Sequence, residues 1–228
     1  MSKEICICVQ ARLSSKRLPE KVLKKVNELS LLEWPTKRVK KAINSNQIYI
    51  LTSNHSSDDK LEKFCKNQGL NFFRGELQNV YKRFRDFLKL HNYKAVARIS
   101  ADSPLLDHKI LGNMIDLFLR KNFDIVTNVF PKTFPSGQSI EIMNRQCFIN
   151  LPPNKLNRVQ KEHVTKYFYE NYKLYKIFNV TCDYDHCNIK LSIDSPKDFN
   201  KLQKNFLHNK INVDSSISEI LRKWNNVK

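Results

Sequence analysis

Short apolar runs alternate with amphipathic helical patterns over the first 128 residues of the sequence. Runs at residues 5–9, 48–52, 71–73, 95–100 and 123–128 have the length of buried β-strands. Helix-type spacing of apolar residues fills the segments between them. This order indicates βαβ units, in which helices connect parallel strands and cover both faces of the sheet. We therefore predict an α/β fold with a mostly parallel sheet.

The pattern changes after residue 128, where a turn and strand, a helix, two strands and two final helices follow. The 228 residues include only 4 glycines and contain no repeat or evident linker. We predict a single domain over residues 1–228, with a β element that projects at about 130–180. The predicted later strands are 175–180 and 189–193, after a turn and strand at 133–143. The predicted helices begin at Ser30 and cover 56–69, 79–91, 107–121, 161–172, 195–207 and 215–226.

The charge of the chain favours an anionic partner. Lys and Arg number 40 against 22 Asp and Glu, which gives a formal net charge of +18. Nucleic acid, phosphorylated small molecules and anionic membrane surfaces all fit this charge. The chain is also rich in Lys and Asn, and its lysines are scattered over the predicted helices. A plain basic surface therefore explains the same composition, and charge alone does not select nucleic acid.

No apolar run approaches the roughly 18 residues that a transmembrane helix needs. The N-terminal segment MSKEICICVQ lacks the apolar core and cleavage site of a signal peptide. We therefore expect a cytoplasmic protein without a membrane segment.

The six cysteines form no CxxC pair and no repeated zinc-ligand spacing. Cys6 and Cys8 alternate within a predicted strand, which is typical of small core residues. The one tract that resembles a metal cluster lacks a second half, so we expect reduced thiols rather than a metal site. This tract contains Cys182, Asp183, Asp185, His186 and Cys187.

Three polar segments directly follow predicted strands: QARLSSKRLPEK, SADSPLLD and IDSPKDF. Ligands of open α/β sheets bind at the carboxyl ends of strands. In the first segment, Arg12 and Lys21 can contact phosphate oxygens, and Ser14, Ser15 and backbone N–H groups can surround them. The segment is neither a Walker A loop nor a GxGxxG motif. A solvated basic loop explains the same residues, and both interpretations stay open at this point.

Asp102 and Asp194 each lie just beyond a predicted strand and two residues before a proline. Two converging carboxylates with cations nearby suit Mg²⁺ bound to a triphosphate, because Mg²⁺ prefers one or two carboxylates plus phosphate oxygens. Aspartate also suits the residue before a helix, so two helix N-caps are the alternative.

Taken together, the motifs resemble those of the sugar cytidylyltransferases, which include the CMP-3-deoxy-manno-octulosonate synthetases and, closer still, the spore-coat-polysaccharide type. The similarity spans about residues 5 to 200. The stretch beginning QAR and continuing SSKRLPEKVL resembles the CTP-binding signature of that family. Five more motifs follow in the family's order: RGELQNVYKRF, ARISADSPLLD, FPSGQSIEIM, KEHVTKYFYEN and LSIDSPKDF.

This resemblance implies a Rossmann-like nucleotide-diphospho-sugar transferase fold and transfer of CMP from CTP to a sugar, with Mg²⁺ as cofactor and a homodimer as the assembly. It implies catalytic roles for Arg12, Lys21 and Asp102, and metal ligation by Asp102 and Asp194. It implies substrate binding by Gly137, Glu141 and His163, of which Glu141 and His163 would face the sugar. The nucleotide-binding residues implied are Gln10, Ala11, Arg12, Ser15, Arg17, Lys21, Ser53, Arg74 and Ser100.

The chain departs from the family pattern where Ser14, Glu20 and Ala101 replace glycines. Glycine permits backbone conformations that other residues resist, so these replacements concern the geometry of the loops. The cations and both aspartates are retained.

No general base is evident in the sequence. His163 is a candidate by residue type, because a neutral imidazole accepts a proton near pH 7. A histidine that binds substrate or contacts a second subunit fits equally well. The alternatives to an enzyme are a non-catalytic nucleotide-binding protein and a basic nucleic-acid-binding protein. We do not expect nucleic acid as the partner, because the aromatic residues of VYKRFRDFLKLHNYK have the spacing of a helix core.

Overall fold

The computed structural model describes residues 3–43, 45–183, 186–209 and 211–224. Its strands are β1 (Lys3–Gln10), β2 (Lys25–Val26), β3 (Leu29–Ser30), β4 (Ile48–Ser53), β5 (Asn71–Gly75), β6 (Tyr93–Ser100), β7 (Ile125–Thr127), β8 (Glu141–Asn144) and β9 (Ile177–Asn179). Its α-helices are α1 (Glu33–Val39), α2 (Asp59–Asn67), α3 (Val80–Leu90), α4 (His108–Arg120), α5 (Arg145–Asn150), α6 (Arg158–Glu162), α7 (Lys166–Glu170), α8 (Pro196–Asn209) and α9 (Ile217–Trp224).

Seven of the described strands form one sheet in the order β5-β4-β1-β6-β8-β7-β9, and β2 and β3 form a separate hairpin. The pairs along β5, β4, β1 and β6 are parallel, which confirms the predicted βαβ half. Strand β8 runs antiparallel to both of its neighbours, β6 and β7. The sheet is therefore mixed and mostly parallel, and β1 and β6 end side by side at its centre.

Strand β1 is buried on both faces because it lies at the centre of the sheet. Its alternate residues Ile5, Ile7 and Val9 pack in one apolar cluster, which includes residues of α2 and α4. Cys6 and Cys8 pack in the opposite cluster, with residues of α3. Side chains alternate across a strand, so a continuous apolar run fills two cores. The two cysteines are small core residues, as predicted, and helices cover both faces.

The predicted strand at 189–193 is wrong, because this segment contributes only an isolated bridge between Ser136 and Lys190. Its apolar residues Leu191 and Ile193 pack instead in a third cluster with α8 and α9. The Ile193 N–H donates to the Asp102 carbonyl over 2.9 Å. The alternation of apolar residues predicted correctly which side chains of this segment are buried. It did not predict that the segment lies outside the central sheet.

One further prediction needs correction. The predicted helix 161–172 is interrupted at His163, whose φ of −99° and ψ of 81° end α6 before α7 begins. Among the described residues of the range 130–180, strands β8 and β9 belong to the central sheet. A projecting β element in this range stays a prediction. Asp185 lies outside the described residues, as do residues 225 and 226 of the last predicted helix.

Candidate active site

A cavity of about 650 Å³ opens where β1 and β6 end. Five cationic and three anionic side chains line it, which makes it a basic pocket with an acidic patch. Helix α6 closes one side with two residues that the sequence did not single out, Arg158 and Glu162. The lining residues are Gln10, Ala11, Arg12, Ser14, Ser15, Lys16, Arg17, Lys21, Val22, Leu77, Gln78, Ser100, Ala101, Asp102, Arg158, Glu162 and Asp194.

A buried aspartate holds the loop that follows β1. Asp58 accepts a hydrogen bond from the Leu13 N–H over 2.7 Å and one from the Ser53 N–H over 3.2 Å. The Ser53 hydroxyl also hydrogen-bonds to Asp58, and both residues are fully buried. Ser53 therefore contacts the loop through Asp58 and does not line the cavity. Sequence reasoning missed Asp58, because no local pattern links residue 58 to residue 13.

Lys21 lies between the two aspartates that the sequence singled out. Its ammonium donates to Asp102 over 2.7 Å, to Asp194 over 3.2 Å and to the Ile193 carbonyl over 2.9 Å. An ammonium has three N–H donors, so all of them are used. The hydrogen bond from Ile193 to the Asp102 backbone places Asp194 beside Asp102. The structure thus brings these three side chains together from segments far apart in the chain.

The environment of Asp194 keeps its carboxylate charged. Burial alone would raise the pKa of Asp194, but the ammonium groups of Lys21 and Lys190 outweigh it, and the pKa lies below its ordinary value. Arg17 adds a third cation at 3.4 Å. A carboxylate that stays ionised can accept hydrogen bonds or ligate a cation.

The pair of carboxylates fits a divalent metal bound together with a phosphate ligand. Asp102 and Asp194 already share one cation, because both contact the Lys21 ammonium. Within the described residues, no group of three or more His, Cys, Asp or Glu side chains is placed to hold a metal ion. Two carboxylates are too few for an all-protein cage, and they match a magnesium ion whose other ligands are water and phosphate oxygens.

A second cavity, of about 540 Å³, lies beside the first and contains Glu141 and His163. Glu141 forms an ion pair with Arg98 and accepts a hydrogen bond from the Tyr169 hydroxyl over 2.7 Å. Burial raises the pKa of Tyr169, and the Glu141 charge raises it further, so the phenol stays protonated. Lys132, Ser139, Thr165, Lys166 and Glu170 also line this cavity, together with Val129 and Phe130.

Arg74 and Gly137, two other residues of the predicted site, line neither cavity. Arg74 donates to the carbonyls of Ser53 and His55 and pairs with Asp59 and Glu62. Arg74 therefore stabilises the loop after β4 and does not line the first cavity.

Gly137 has a φ of +95°, and a Cβ there would lie 2.8 Å from the Ser192 nitrogen. This glycine permits the close approach of the segment that ends in Asp194. Gly137 therefore affects the position of Asp194 in the first cavity through the backbone. It does not line the second cavity.

Comparison with known proteins places the chain in a family. A family model described as Cytidylyltransferase matches residues 5–219. The chain is 34% identical to an uncharacterized protein of Methanocaldococcus jannaschii over 90% of this chain and 85% of that protein. It is 27% identical to the spore coat polysaccharide biosynthesis protein SpsF of Bacillus subtilis over 96% of this chain and 92% of that protein.

Solved structures agree with the fold. A cytidylyltransferase from Leptospira borgpetersenii matches with a TM-score of 0.91 at 29% identity, over 98% of this chain and 95% of that one. A CMP:2-keto-3-deoxy-manno-octonic acid synthetase complexed with CTP matches with a TM-score of 0.66 at 12% identity, over 92% of this chain and 100% of that one. The second likeness concerns the fold alone, and it confirms the predicted Rossmann-like nucleotidyltransferase architecture. With the family model over residues 5–219, these findings show that the chain belongs to the cytidylyltransferase family.

Proposed function

We propose that this protein transfers CMP from CTP to a hydroxyl of a sugar, with release of pyrophosphate and with Mg²⁺ as cofactor. We further propose that the acceptor is an acidic sugar such as a nonulosonic or 3-deoxy-ulosonic acid. The product would serve the synthesis of a surface polysaccharide or glycan, a role supported by the relation to SpsF.

The observation that carries this proposal is the shared contact of Lys21 with Asp102 and Asp194 in a basic cavity at the strand ends. A triphosphate has a high negative charge, so its site needs fixed cations. Its oxygens can lie near the two carboxylates only if a cation offsets the repulsion between them. Arg12, Lys16, Arg17 and Lys21 supply the cations. Asp102 and Asp194 would hold the metal that lets phosphate oxygens lie near them.

The reaction we propose is an in-line displacement. The acceptor hydroxyl attacks the α-phosphorus of CTP, the bond from the α-phosphorus to the bridging oxygen breaks, and pyrophosphate leaves with that oxygen. Arg12 would contact the leaving pyrophosphate, where negative charge develops. Lys21 would do the same once Mg²⁺ at Asp102 and Asp194 replaces its contacts with these carboxylates. Mg²⁺, when bound at Asp102 and Asp194, supplies positive charge at the phosphate oxygens and helps to orient them. Positioning of the two substrates provides the remaining acceleration.

We assign the acceptor to the second cavity, because it borders the first and carries both cations and hydrogen-bonding groups. Lys132 donates only to the Ser136 hydroxyl among the contacts found for the described residues, so its charge is free to pair with an acidic group. Glu141 and His163 would contact sugar hydroxyls. His163 is our candidate for the group that accepts the proton of the attacking hydroxyl.

Pyrophosphate release tests the proposal most directly. The protein would be incubated with CTP, MgCl₂ and a panel of acidic sugars, with UTP and ATP in parallel. We expect release with CTP and at least one acidic sugar. Binding of CTP without turnover on any sugar would favour a non-catalytic nucleotide-binding protein. Tight binding of RNA or DNA with a steep salt dependence, and no CTP-dependent release, would favour a nucleic-acid-binding protein.

Asp102→Asn tests the metal assignment. We expect this variant to lose at least about 100-fold in turnover, since the amide is a neutral and weaker ligand, and to keep its thermal stability. Asp116→Asn, at an exposed position of α4, is the matched control and should keep wild-type turnover. Pyrophosphate release by the Asp102→Asn variant at the wild-type rate would contradict the assignment.

The assembly and the compartment remain proposals. We propose a homodimer formed through the region of residues 135–180, and a reaction in the cytoplasm. In the described residues, no helix has the length and apolar character to cross a bilayer. Light scattering of the purified protein would test the dimer.

A further inference from the structure

A continuous row of polar side chains crosses the floor of both cavities. In the register of the sheet, Arg98 of β6 lies opposite Glu141 of β8, which lies opposite Thr127 of β7. Gln10 ends β1, two residues beyond the position paired with Arg98. Gln10 lines the first cavity, whereas Arg98 and Glu141 line the second. The row therefore connects the proposed nucleotide and acceptor sites through side chains.

The chemistry of arginine fixes the orientation of the Gln10 amide. Both Nε and Nη2 of Arg98 lie within 3.1 Å and 3.0 Å of the Gln10 Oε1 atom. A guanidinium has five donors and no acceptor, so only the amide oxygen can face it. The amide nitrogen of Gln10 therefore points away from Arg98. This nitrogen donates no hydrogen bond among the described residues, and Gln10 lines the first cavity.

Arg98 is itself held from the other side. Glu141 is only 4% exposed, and it pairs with Arg98 through Nη1. The Tyr169 hydroxyl donates its single proton to Glu141, so Thr127 must donate to Tyr169 over the 2.9 Å that separates their oxygens. Thr127 thus donates to Tyr169, and Tyr169 donates to Glu141. Arg98 donates to both Glu141 and Gln10. Such a connected network restricts each member to one orientation.

We infer that Arg98 is a positioning residue, which presents the Gln10 amide nitrogen to the first cavity as a fixed donor for an oxygen of the bound nucleotide. This inference rests on the proposed function, since it takes the nucleotide to bind in the first cavity. Arg98 acts through Gln10 and does not contact the nucleotide itself. Glu141 and Tyr169 hold Arg98 in place from the second cavity.

A thermodynamic cycle tests this inference by calorimetric titration of the protein with CTP in the presence of MgCl₂. Arg98→Met alone would leave the buried Glu141 charge unpaired, so the variant combines Arg98→Met with Glu141→Gln. We expect this double variant to bind CTP about fivefold to tenfold more weakly, the size of one hydrogen bond. In a Gln10→Ala background the same double change should alter the dissociation constant by less than about twofold, because no amide is left to orient.

Gln10→Glu is a second test, which gives a result even if the double variant does not fold. Arg98 still has an oxygen to contact, so the melting temperature should stay at or above that of the wild type. The atom that faces the nucleotide becomes an anionic oxygen, so CTP affinity should fall further than in Gln10→Ala. Arg120→Met, at an exposed end of α4, is the control for loss of an arginine and should bind CTP normally.

The outcomes separate this inference from the proposed function. Equal effects of the double variant in both backgrounds, or none in either, would overturn the role of Arg98 while CTP binding by the wild type still stood. Wild-type CTP affinity in Gln10→Glu would also overturn it. Failure of the wild-type protein to bind CTP would overturn both the inference and the proposed function.

Discussion

Glu20 adopts a left-handed backbone conformation, with φ of 52° and ψ of 24°, in the loop that leads to Lys21. Its side chain pairs with Lys60 on the surface at 2.6 Å and does not line the first cavity. This is one of the three positions where the resemblance to the sugar cytidylyltransferases implies a glycine. The left-handed conformation gives the physical reason why a glycine would suit this position, and Glu20 adopts it at an energetic cost.

Substitutions at position 20 should therefore follow backbone preference rather than charge. Glu20→Val should lower the free energy of unfolding by about 1–2 kcal/mol relative to Glu20→Gly, because a β-branched side chain fits this region poorly. Urea denaturation would measure the difference. Lys60→Met removes the same exposed ion pair without changing the backbone, and it should have only a small effect. Equal stability of the Val and Gly variants would contradict the strain at this position.

Ala101 shows the opposite case at the residue scale. The resemblance implies a glycine at this position too, yet Ala101 is not among the non-glycine residues with positive φ, which in the described chain are Glu20 and Asn27. It is 1% exposed and packs in the apolar cluster beneath the cavity. A methyl group is therefore accommodated there without a left-handed backbone, and Asp102 keeps its place beside it.

At the scale of elements, the first turn of α8 fixes the position of Asp194. The Asp198 carboxylate accepts hydrogen bonds from the N–H groups of Asp194 and Ser195, over 3.0 Å and 2.9 Å. Ser195 accepts in return from the Asp198 N–H over 3.3 Å. This reciprocal pair has the arrangement of a capping box, with Asp in place of Glu, and Pro196 starts the helix. The same Asp198 carboxylate therefore caps the start of α8 and holds the backbone of Asp194.

Asp198→Asn should destabilise the protein in a pH-dependent way. Burial opposes ionisation of Asp198, but Lys190, Ser195 and the backbone N–H of Asp194 lower its pKa below the ordinary 3.8. A lowered pKa in the folded state contributes stability above the unfolded value, and this stability is lost as the pH falls through the folded value. Asp198→Asn should therefore lower the free energy of unfolding by about 1 kcal/mol at pH 7.

Denaturation at pH 7, 4 and 3 would measure this dependence. The difference between wild type and Asp198→Asn should shrink as the pH falls below about 4, where the unfolded carboxyl becomes protonated. Asp116→Asn, at an exposed position of α4, is the control for the loss of a carboxylate. A difference that stays constant down to pH 3 would mean that the Asp198 charge does not stabilise α8.

The elements also show which parts of the structure were accessible from sequence. The parallel strands β1, β4, β5 and β6 and helix α4 were predicted, because local periodicity reports burial and connection length limits their pairing. The antiparallel direction of β8 and the path of residues 189–193 were not, because they depend on hydrogen bonds between distant segments. The same reason separates the site residues: Asp102 follows a strand, whereas Asp58, Arg98 and Tyr169 gain their partners only in the folded chain.

On the scale of the whole molecule, the net charge of +18 opposes the compact state. A domain of 228 residues has a radius of gyration of roughly 17 Å. The Debye length is about 30 Å at 0.01 M salt and about 8 Å at 0.15 M. At low salt the excess positive charges therefore repel one another across the entire molecule, whereas at 0.15 M only close neighbours interact.

Added KCl should consequently raise the melting temperature between 0.01 M and 0.15 M. Salt also weakens ion pairs, but exposed pairs such as Lys60 with Glu20 and Lys94 with Glu4 contribute little, and their 2.6 Å contacts are much shorter than either Debye length. Relief of the long-range repulsion should therefore outweigh their loss. Each kcal/mol of relieved repulsion corresponds to about 2–4 °C for a protein of this size. Calorimetry across this range would measure the shift, and a melting temperature that falls with KCl would mean that the ion pairs outweigh the net charge.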